Sequence, residues 1–382
     1  MIYLDNAATS WPKPPEVAKK MVQVLEQAGG NPGRSGHSLS IKAARVVYET
    51  SEALATFLNL SDPLRIIFTN NATHALNIVV QGLLEPGNTV VTSSMEHNSL
   101  MRPLRNLEKR GVRLKIVQCL PDGRIMPDDV AKAIDNKTRL VAMLHASNVT
   151  GTIMPISEIS EIAHKVGALV LVDAAQTAGV RQLDIEALGA DFLAITGHKG
   201  LLGPPGIGAL LINSNFDTSN LRTLMQGGTG SQSEREEQPE YLPDKYESGT
   251  VNLVGIAGLL AGIKWIEKKG LNEIREHESK LRSRLVCGLS TIKGVKIYGP
   301  EEIDANAAIV SFTIAGKTVS EIGQRLDDEF GILTRVGLHC APAAHHTIGS
   351  FPGGTVRLAP GIFTTMDDMQ YTLSAIDKIA KQ

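Results

Sequence analysis

The sequence predicts an α/β protein with two domains: a large one with a mostly parallel central sheet flanked by helices, and a smaller α+β domain. Between residues 65 and 212, short apolar runs alternate with helical patterns, which is typical of a doubly wound sheet. After residue 272 the order changes to helix, two strands, helix, strand and helix, which indicates an α+β module. The chain has 382 residues, 42% hydrophobic and 20% charged, and is long enough for two cores.

Each element is predicted from the period of its apolar residues and from the residues that end it. Strands of the large domain are expected at 65–68, 89–92, 113–119, 139–144, 169–172, 192–195 and 206–212. Helices of the large domain are expected at 14–27, 39–58, 73–84, 99–109, 127–134 and 156–166. A strand at 2–4 precedes them, and a helix at 252–268 leads out of the domain. The smaller domain is expected to hold strands at 295–298 and 308–314 and helices from 272, at 320–329 and at 366–381.

We place the large domain at residues 15–255, and we assign residues 1–14 together with 256–382 to the small domain. The stretch 227–246 is polar and rich in Gly and Pro, which indicates a long loop of the kind that is often functional. The sequence contains no internal repeat and no low-complexity tract. We therefore expect one two-domain protein.

Composition and charge exclude several classes of protein. The formal net charge is −2, so the overall charge does not favour binding of nucleic acid or of an acidic membrane. The longest apolar segment, 253–266, is too short to span a bilayer. The cysteines Cys119, Cys287 and Cys340 are far apart, and the N-terminus lacks the pattern of a signal peptide. We therefore expect a protein of a reducing compartment, the cytoplasm, without membrane or nucleic-acid partners.

The strongest functional signal lies at the ends of two predicted strands. One apolar run ends in Asp173, and the next is followed by Thr196, His198 and Lys199. Ligands of open α/β sheets bind at this edge, where Thr196 and His198 can donate to a phosphate. A desolvated lysine forms a Schiff base with an aldehyde, and a carboxylate keeps a pyridine nitrogen protonated. The pair therefore outlines a site for pyridoxal 5′-phosphate, although each residue alone is more simply a strand-end cap or a solvated loop charge.

Polar residues also follow the other strands of the predicted sheet. The helix that opens near Thr73 offers backbone N–H groups to a phosphate, and His97 has a ring that could stack on a cofactor. Asn148 could donate to a phenolic oxygen or a carboxylate, and Gln176 lies three residues after the strand-end acid. Each of these residues alone is better explained as a cap or a polar loop residue. Their recurrence at strand after strand indicates one shared site.

A second group of candidates surrounds Cys340, in the segment RVGLHCAPAAHH. The nearby Gly and Pro predict an exposed loop, in which His339 could favour the thiolate. Three interpretations stay open: an inert thiol, a zinc site with His345 and His346, or a nucleophile delivered to the cofactor. Arg357 follows a Gly turn and offers a bidentate fork to a carboxylate, or else forms a surface salt bridge.

Ten segments of the chain form a recognisable series. In chain order they are YLDNAATS, NPGRSGHSLS, TNNATHALN, SMEHNS, SNVTGT, VDAAQ, TGHKGLLGPPGIG, YESGT, RVGLHCAP and GTVRLAPGIFTT. These segments resemble the class V aminotransferases, and within them the cysteine desulfurases and selenocysteine lyases. They cover nearly the whole chain in the family's order. TGHK with an upstream VDAAQ is specific for this fold, the PLP-dependent transferase fold type I, and RxGxHC is specific for the desulfurase branch with a short catalytic loop.

The resemblance implies a role for each matching residue. Lys199 would form the Schiff base and shuttle protons, Asp173 would partner the pyridine nitrogen, and His97 would stack on the ring. Gln176 would donate to the phenolic oxygen, and Cys340 would form a persulfide. The other residues implied are the phosphate ligands Ala72, Thr73, Thr196 and His198, the phosphate ligand Thr250 contributed by a partner subunit, the substrate carboxylate clamp Asn148 and Arg357, and the substrate-pocket residues Ala7, Ala8 and His37.

The resemblance therefore implies a homodimeric enzyme that converts L-cysteine to L-alanine, captures the sulfur on Cys340 and passes it to an acceptor protein. Alternatives on the same fold are a selenocysteine lyase, a cysteine sulfinate desulfinase and a transaminase. An alternative of another class is a sulfur carrier or regulatory protein without turnover. The segment after Cys340, APAAHHTIG, differs from that of the best-studied iron–sulfur branches, which indicates a side branch whose substrate and acceptor stay open.

Overall fold

The computed structural model describes residues 1–33, 35–302 and 305–382, and a seven-stranded sheet forms its centre. The strands of this sheet are β2 (Ile66–Thr69), β3 (Thr89–Ser93), β4 (Arg113–Val117), β5 (Thr138–Leu144), β6 (Leu169–Asp173), β7 (Phe192–Thr196) and β8 (Gly208–Ile212). Their order across the sheet is β2-β8-β7-β6-β5-β3-β4. Neighbouring strands pair in parallel except at β8, which is antiparallel to both β2 and β7. The predicted α/β fold with a mostly parallel sheet is therefore confirmed.

Helices cover both faces of this sheet. They are α1 (Pro15–Gln27), α2 (Ser38–Leu58), α3 (Ala72–Leu83), α4 (Asn98–Glu108), α5 (Pro127–Ala133), α6 (Ile156–His164) and α7 (Leu253–Lys269). Buried residues of α3 and α4 pack on one face, and those of α2, α5, α6 and α7 pack on the other. Because both faces are covered, β7 reads FLAIT and is buried throughout instead of alternating apolar and polar residues.

A second module is built on a four-stranded antiparallel sheet. Its strands are β9 (Val295–Tyr298), β10 (Val310–Ile314), β12 (Arg335–Gly337) and β13 (Thr355–Leu358), in the order β12-β13-β10-β9. The helices after α7 are α8 (Leu271–Ser290), α9 (Val319–Phe330), α10 (Pro342–Ile348) and α11 (Met366–Lys381). Apolar residues of α8, α9 and α11 bury Phe312 of β10 in a separate core.

The N-terminus belongs structurally with this second module. Strand β1 (Ile2–Tyr3) pairs in parallel with β11 (Ile332–Leu333). The predicted boundary between residues 255 and 256 falls inside α7, whose buried residues pack in the core of the large sheet and against α1 and α2. The division into 15–255 and the remainder stays a prediction.

Two local expectations are corrected. The strand expected at 113–119 ends at Val117. Beyond it, the Cys119 N–H donates to a side chain, Ser94 Oγ at 3.0 Å, and not to a backbone carbonyl of the neighbouring strand. Cys340 lies on an exposed turn, as predicted, but the segment that follows it is not a loop. It forms α10, with Pro342 in the first turn, where a missing N–H costs no helical hydrogen bond.

None of the helices in the described ranges combines the length and apolar character needed to cross a lipid bilayer.

Candidate active site

A cavity of about 270 Å³ opens at the carboxyl ends of the strands of the large sheet. It lies where β6 ends in Asp173 and β7 ends in Thr196, the edge at which open α/β sheets bind ligands. The predicted residues that line it are Ala7, Ala8, Ala72, Thr73, His97, Asn148, Asp173, Gln176, Thr196, His198, Lys199 and Arg357. Residues that are distant in the sequence thus converge on one site.

Asp173 is held as a buried carboxyl group at the end of β6. Its Oδ1 accepts the Ala175 N–H at 3.0 Å, and its side chain is almost fully buried. Burial raises the pKa of Asp173, while that backbone bond and the nearby Lys199 ammonium act in the opposite direction. A buried carboxyl in this position would be stabilised by a cationic partner such as a protonated pyridine nitrogen.

Lys199 lies in the turn that follows β7. Ser10 Oγ donates to the Lys199 carbonyl at 2.9 Å, and a Cβ on the next residue, Gly200, would lie 2.5 Å from the Ala178 carbonyl oxygen. The turn therefore requires glycine at this close approach. Burial lowers the pKa of Lys199 to about 8; Asp173 opposes this shift, and nearby arginines add to it. A neutral amine, the nucleophilic form, is thus accessible near physiological pH.

His97 presents a neutral ring to the cavity. Its Nδ1 accepts the Ser99 N–H at 3.0 Å, so the side chain caps α4 and the ring orientation is restrained. Burial, together with the positive charge of Lys199 and Arg335, lowers the pKa of His97 to about 4. Because Nδ1 accepts a hydrogen bond, the neutral ring carries its proton on Nε2.

The opposite end of the cavity suits an anion. The N-terminus of α3, with Ala72 and Thr73, faces it, and Asn71 caps this helix by accepting the His74 N–H at 3.0 Å. Thr196 Oγ1 is buried and lacks a hydrogen-bond partner among the described residues. Backbone N–H groups and the positive end of the helix dipole stabilise a bound phosphate at such a terminus.

The predicted carboxylate clamp is engaged in protein contacts. Arg357, 1% exposed, donates through Nη1 to the Asn148 carbonyl at 2.9 Å and through Nη2 to Asp5 Oδ1 at 2.6 Å. The Asn148 amide donates to the His339 carbonyl at 2.8 Å, and Gln176 Nε2 donates to the Ala7 carbonyl at 3.1 Å. Arg357 Nε and Asn148 Oδ1 are buried without a partner in the described part of the chain, so each keeps one polar atom for a ligand.

Arg335 is a site residue that sequence reasoning missed. It lines the cavity, and its Nη2 lies 3.4 Å from Cys340 Sγ. Ser99 lines the cavity as well, and its Oγ lies 2.8 Å from His97 Nδ1. Its place as the first residue of the RxGxHC motif is the sequence signal for Arg335, and the direction of its side chain depends on β12.

Cys340 lies beside the cavity on an exposed turn between β12 and α10. The turn places two successive non-glycine residues in the left-handed region, His339 at φ 48° and Cys340 at φ 59°. Two hydrogen bonds hold it to segments that flank the large sheet: the Asn98 N–H at the start of α4 donates to the Cys340 carbonyl at 2.8 Å, and the Asn148 amide, after β5, donates to the His339 carbonyl. The thiol is therefore both accessible and positioned.

The histidines that a zinc site would have used are engaged elsewhere. His345 Nδ1 lies 2.7 Å from Ser350 Oγ, and the His346 ring stacks on Phe351 at 3.8 Å between centroids. Within the described ranges no group of three His, Cys, Asp or Glu side chains is arranged to hold a metal ion.

Of the other cysteines, Cys119 is buried, and burial raises the pKa of its thiol to about 11, which makes it a poor nucleophile.

Besides Cys340, two predicted residues lie outside the cavity lining. His37 caps α2 by accepting the Ser40 N–H at 3.2 Å, and Arg34 of the same segment lies outside the described residues. Thr250 is exposed and accepts a hydrogen bond from Asn31 Nδ2 at 3.2 Å. Their roles, in the substrate pocket and in a partner's phosphate site respectively, stay predictions.

The family model for class-V aminotransferases matches residues 2–372. The chain belongs to this family. Curated relatives place it among the cysteine desulfurases. A probable cysteine desulfurase of Methanothermobacter thermautotrophicus is 38% identical over 99% of this chain and 94% of its own length. The cysteine desulfurase of Haloferax volcanii is 30% identical over 99% of this chain and 89% of its own length.

Solved structures agree with this assignment. The apo structure of a cysteine desulfurase from Thermococcus onnurineus is similar with a TM-score of 0.93 and 34% identity, covering 100% of this chain and 94% of that one. The cysteine desulfurase CsdA from Escherichia coli, in its S-sulfonic acid form, has a TM-score of 0.88 and 27% identity, covering 99% and 94%.

The cofactor of this family is pyridoxal 5′-phosphate, and the cavity fits it. Thr196 Oγ1 and the α3 N-terminus would hold the phosphate, since the buried Thr196 hydroxyl lacks a partner among the described residues. Asp173 is a buried carboxyl that would partner a pyridine nitrogen, and Lys199 has an amine that would bond an aldehyde. The donor set therefore matches the charges and functional groups of the cofactor.

Proposed function

We propose that this chain is a pyridoxal phosphate-dependent cysteine desulfurase, which converts L-cysteine to L-alanine and holds the sulfur as a persulfide on Cys340. One observation carries the proposal: an exposed thiol, held in a fixed turn, lies beside a cavity that contains a buried amine and a buried acid. A transaminase needs the amine and the acid but has no use for the thiol.

Substrate binding follows from the positive charges of the cavity. Arg357 and Arg335 both line it, and a guanidinium binds a carboxylate bidentately. The Asn148 side chain lies between Arg357 and the Cys340 turn, and we assign it with Arg357 to the clamp for the substrate carboxylate. We assign the carboxylate of L-cysteine to this side.

When bound, pyridoxal phosphate would supply an electron-withdrawing ring for the substrate Cα, and Asp173 would maintain the positive charge on that ring. Lys199, whose pKa is lowered to about 8, takes the Cα proton as a general base and returns a proton to the carbon skeleton. The neutral His97 ring lines the cavity and would stack on the bound cofactor.

Cys340 completes the reaction as a thiolate. It attacks the substrate sulfur, an S–S bond forms, and the substrate C–S bond breaks with its electron pair returning to the carbon skeleton, which leaves as alanine after protonation. The guanidinium of Arg335, 3.4 Å from Sγ, stabilises negative charge on the sulfur throughout. No external oxidant or reductant is needed for this step.

The decisive experiment replaces Cys340 and measures alanine. With L-cysteine and dithiothreitol, we expect Cys340→Ser to form alanine at least about 100-fold more slowly than the wild type. The variant should bind the cofactor with an unchanged absorption spectrum. Cys287→Ser, which alters an exposed cysteine on α8, is the matched control and should keep full activity.

The rivals give different results in the same assay. Wild-type turnover by Cys340→Ser would refute the role of the thiol. Alanine formed from selenocysteine or cysteine sulfinate, but not from cysteine, would favour those lyase activities. Cofactor binding without any turnover would favour a sulfur-carrier or regulatory protein on this fold.

The same proposal includes a homodimer, in which Thr250 reaches the phosphate site of the partner subunit. Its exposure on a polar stretch outside its own cavity supports this role. It also includes a sulfur-acceptor protein and a location in the cytoplasm, where a reducing environment keeps the Cys340 thiol free.

A further inference from the structure

A groove of about 370 Å³ runs between α4 and α10, next to the Cys340 turn. On the α4 side it is lined by Met101, Arg102, Arg105 and Lys109, and on the α10 side by Pro342 and Ala343. Nothing in the proposed reaction uses this groove. It lies outside the cavity that holds the cofactor.

The groove is directly connected to the reactive cysteine. Pro342 and Ala343 follow Cys340 by two and three residues, and the Asn98 N–H at the start of α4 donates to the Cys340 carbonyl at 2.8 Å. The Cys340 thiol is exposed. A chain segment bound in the groove would therefore end within a few residues of the sulfur.

The wall formed by α4 is positively charged. Arg102, Arg105 and Lys109 are spaced by three and four residues, which places them on one face of the helix, and all three are exposed. Arg105 pairs with Glu108 at 2.8 Å, whereas no ion pair is found for Arg102 or Lys109 in the part of the chain that the structure describes. This cluster contrasts with the net charge of −2 of the whole chain.

The only carboxyl group among the lining side chains does not neutralise this charge. Glu96 is 1% exposed, and its oxygens accept hydrogen bonds from Ser93 Oγ and the Leu144 N–H. Burial raises its pKa to about 8, so at neutral pH it is mainly protonated. The groove therefore presents a net positive face.

We propose that this groove binds an acidic segment of a protein sulfur acceptor, in which carboxylates flank the accepting cysteine. The inference rests on the proposed function, because it concerns the persulfide formed on Cys340. In the transfer, the acceptor thiolate attacks the outer sulfur of that persulfide. A new S–S bond forms on the acceptor, the old one breaks, and its electron pair leaves on Cys340 as a thiolate.

A polypeptide fits this groove better than a nucleic acid. Tight binding of nucleic acid usually draws on about six to ten phosphate contacts along an extended basic surface, whereas this groove is short and has three cations. Met101, Pro342 and Ala343 add apolar surface that side chains of a peptide can cover. The reaction also requires a thiol, which proteins supply.

The test uses the complete holoenzyme and three synthetic peptides that differ only around a single cysteine. The flanking residues are glutamates in the first, glutamines in the second and lysines in the third. The enzyme is given L-cysteine, and the initial rate of persulfide formation on each peptide is measured by mass spectrometry. Alanine formation with dithiothreitol is measured in parallel, since this small acceptor does not need the groove.

We expect the glutamate peptide to accept sulfur about tenfold or more faster than the glutamine peptide at low salt, and the lysine peptide to be slowest. High salt should reduce the advantage of the glutamate peptide over the glutamine peptide. This measurement needs only the wild-type enzyme. In Arg105→Glu/Lys109→Glu the preference should reverse while the dithiothreitol reaction is unchanged. Lys378→Glu/Lys381→Glu, with the same charge change on α11, is the control and should retain the wild-type preference.

Several outcomes would overturn the inference. Equal rates for the glutamate and glutamine peptides with an intact dithiothreitol reaction would exclude an acidic acceptor segment. So would a preference that survives in Arg105→Glu/Lys109→Glu. Tighter binding of an RNA oligonucleotide that the same substitutions abolish would assign the groove to nucleic acid. A wild-type enzyme that forms no alanine with dithiothreitol would instead refute the proposed function, and the inference with it.

Discussion

Lys199 and Asp173 are both buried, and each opposes the effect of burial on the other. Burial lowers the pKa of the amine and raises the pKa of the carboxyl, while their mutual attraction acts against both shifts. The amine therefore titrates near the pH at which the enzyme would work. This adjustment depends on burial, which no local sequence pattern reveals.

The lowered pKa of Lys199 predicts how the apoenzyme takes up its cofactor. Only the neutral amine attacks the aldehyde, so the fraction of reactive enzyme increases as the pH rises through the pKa. The rate of pyridoxal phosphate capture, followed by absorbance, should rise with pH and level off above about 8 rather than near the ordinary lysine value of 10.5.

A rate that continues to rise up to pH 10 would contradict this environment for Lys199. Lys199→Ala should show no covalent capture at any pH. Lys264→Ala, which changes an exposed lysine on α7, is the control and should follow the wild-type profile.

The turn between β12 and α10 shows how an element can position a nucleophile. The His339 ring is buried with Nε2 3.0 Å from Thr355 Oγ1, and the His339 carbonyl accepts the Asn148 amide. Together with the left-handed backbone at His339 and Cys340, these contacts fix the direction of the thiol. A left-handed conformation costs a non-glycine residue about 1–2 kcal/mol, which the contacts must offset.

Two substitutions at His339 separate the backbone conformation from the ring. His339→Asn and His339→Val both remove the imidazole, but asparagine tolerates the left-handed region and a β-branched residue does not. We expect kcat for alanine formation from cysteine to be on the order of tenfold lower in the valine variant than in the asparagine variant. KM should differ little, because the substrate clamp is intact in both.

Equal kcat values for the two variants would show that the backbone conformation at this position does not position the thiol. Absorption spectra of the bound cofactor serve as the control for folding, since neither substitution alters a residue that lines the cofactor cavity.

At the scale of the whole molecule, the site is assembled from both modules. The N-terminal segment contributes Asp5, which pairs with Arg357 of β13, and Ser10, which binds the Lys199 carbonyl. Strand β1 fixes this segment by pairing with β11. The large sheet supplies the amine and the acid, and the second module supplies the thiol and the arginines.

The proposed dimer extends this assembly across two chains and can be tested by mixing variants. If Thr250 serves the partner's phosphate, Lys199→Ala and Thr250→Asp homodimers should both be nearly inactive. Mixed and reassembled, they should regain up to about one quarter of wild-type activity, because half of the dimers are mixed and each has one intact site. Alanine formation from cysteine is the measurement.

Activity that never exceeds the sum of the separate variants would contradict a shared site. A mixture of Lys199→Ala with Cys340→Ser is the control. In our assignment both residues act in the same chain's cavity, so each site of a mixed dimer lacks one of them, and reassembly should restore no activity.

Much of the architecture follows from local sequence patterns. The apolar runs that end in Asp173 and in the Thr196–Lys199 segment predict two strands of one sheet, and parallel strands bring their carboxyl ends to the same edge. The local sequence pattern therefore explains why the Lys199 amine and the Asp173 carboxyl are neighbours. The segments TGHK and RxGxHC identify the family by resemblance, and the match over residues 2–372 confirms it.

Other features were decided only by tertiary structure. The antiparallel direction of β8, the contact of Arg335 with Cys340 and the use of the Asn148 amide by His339 depend on packing between distant parts of the chain. The groove beside α4 likewise exists only because α10 packs next to it. Asn148 and His339 are separated by 191 positions, so no local sequence pattern links them. Their contact forms only because the folded chain packs the two segments together.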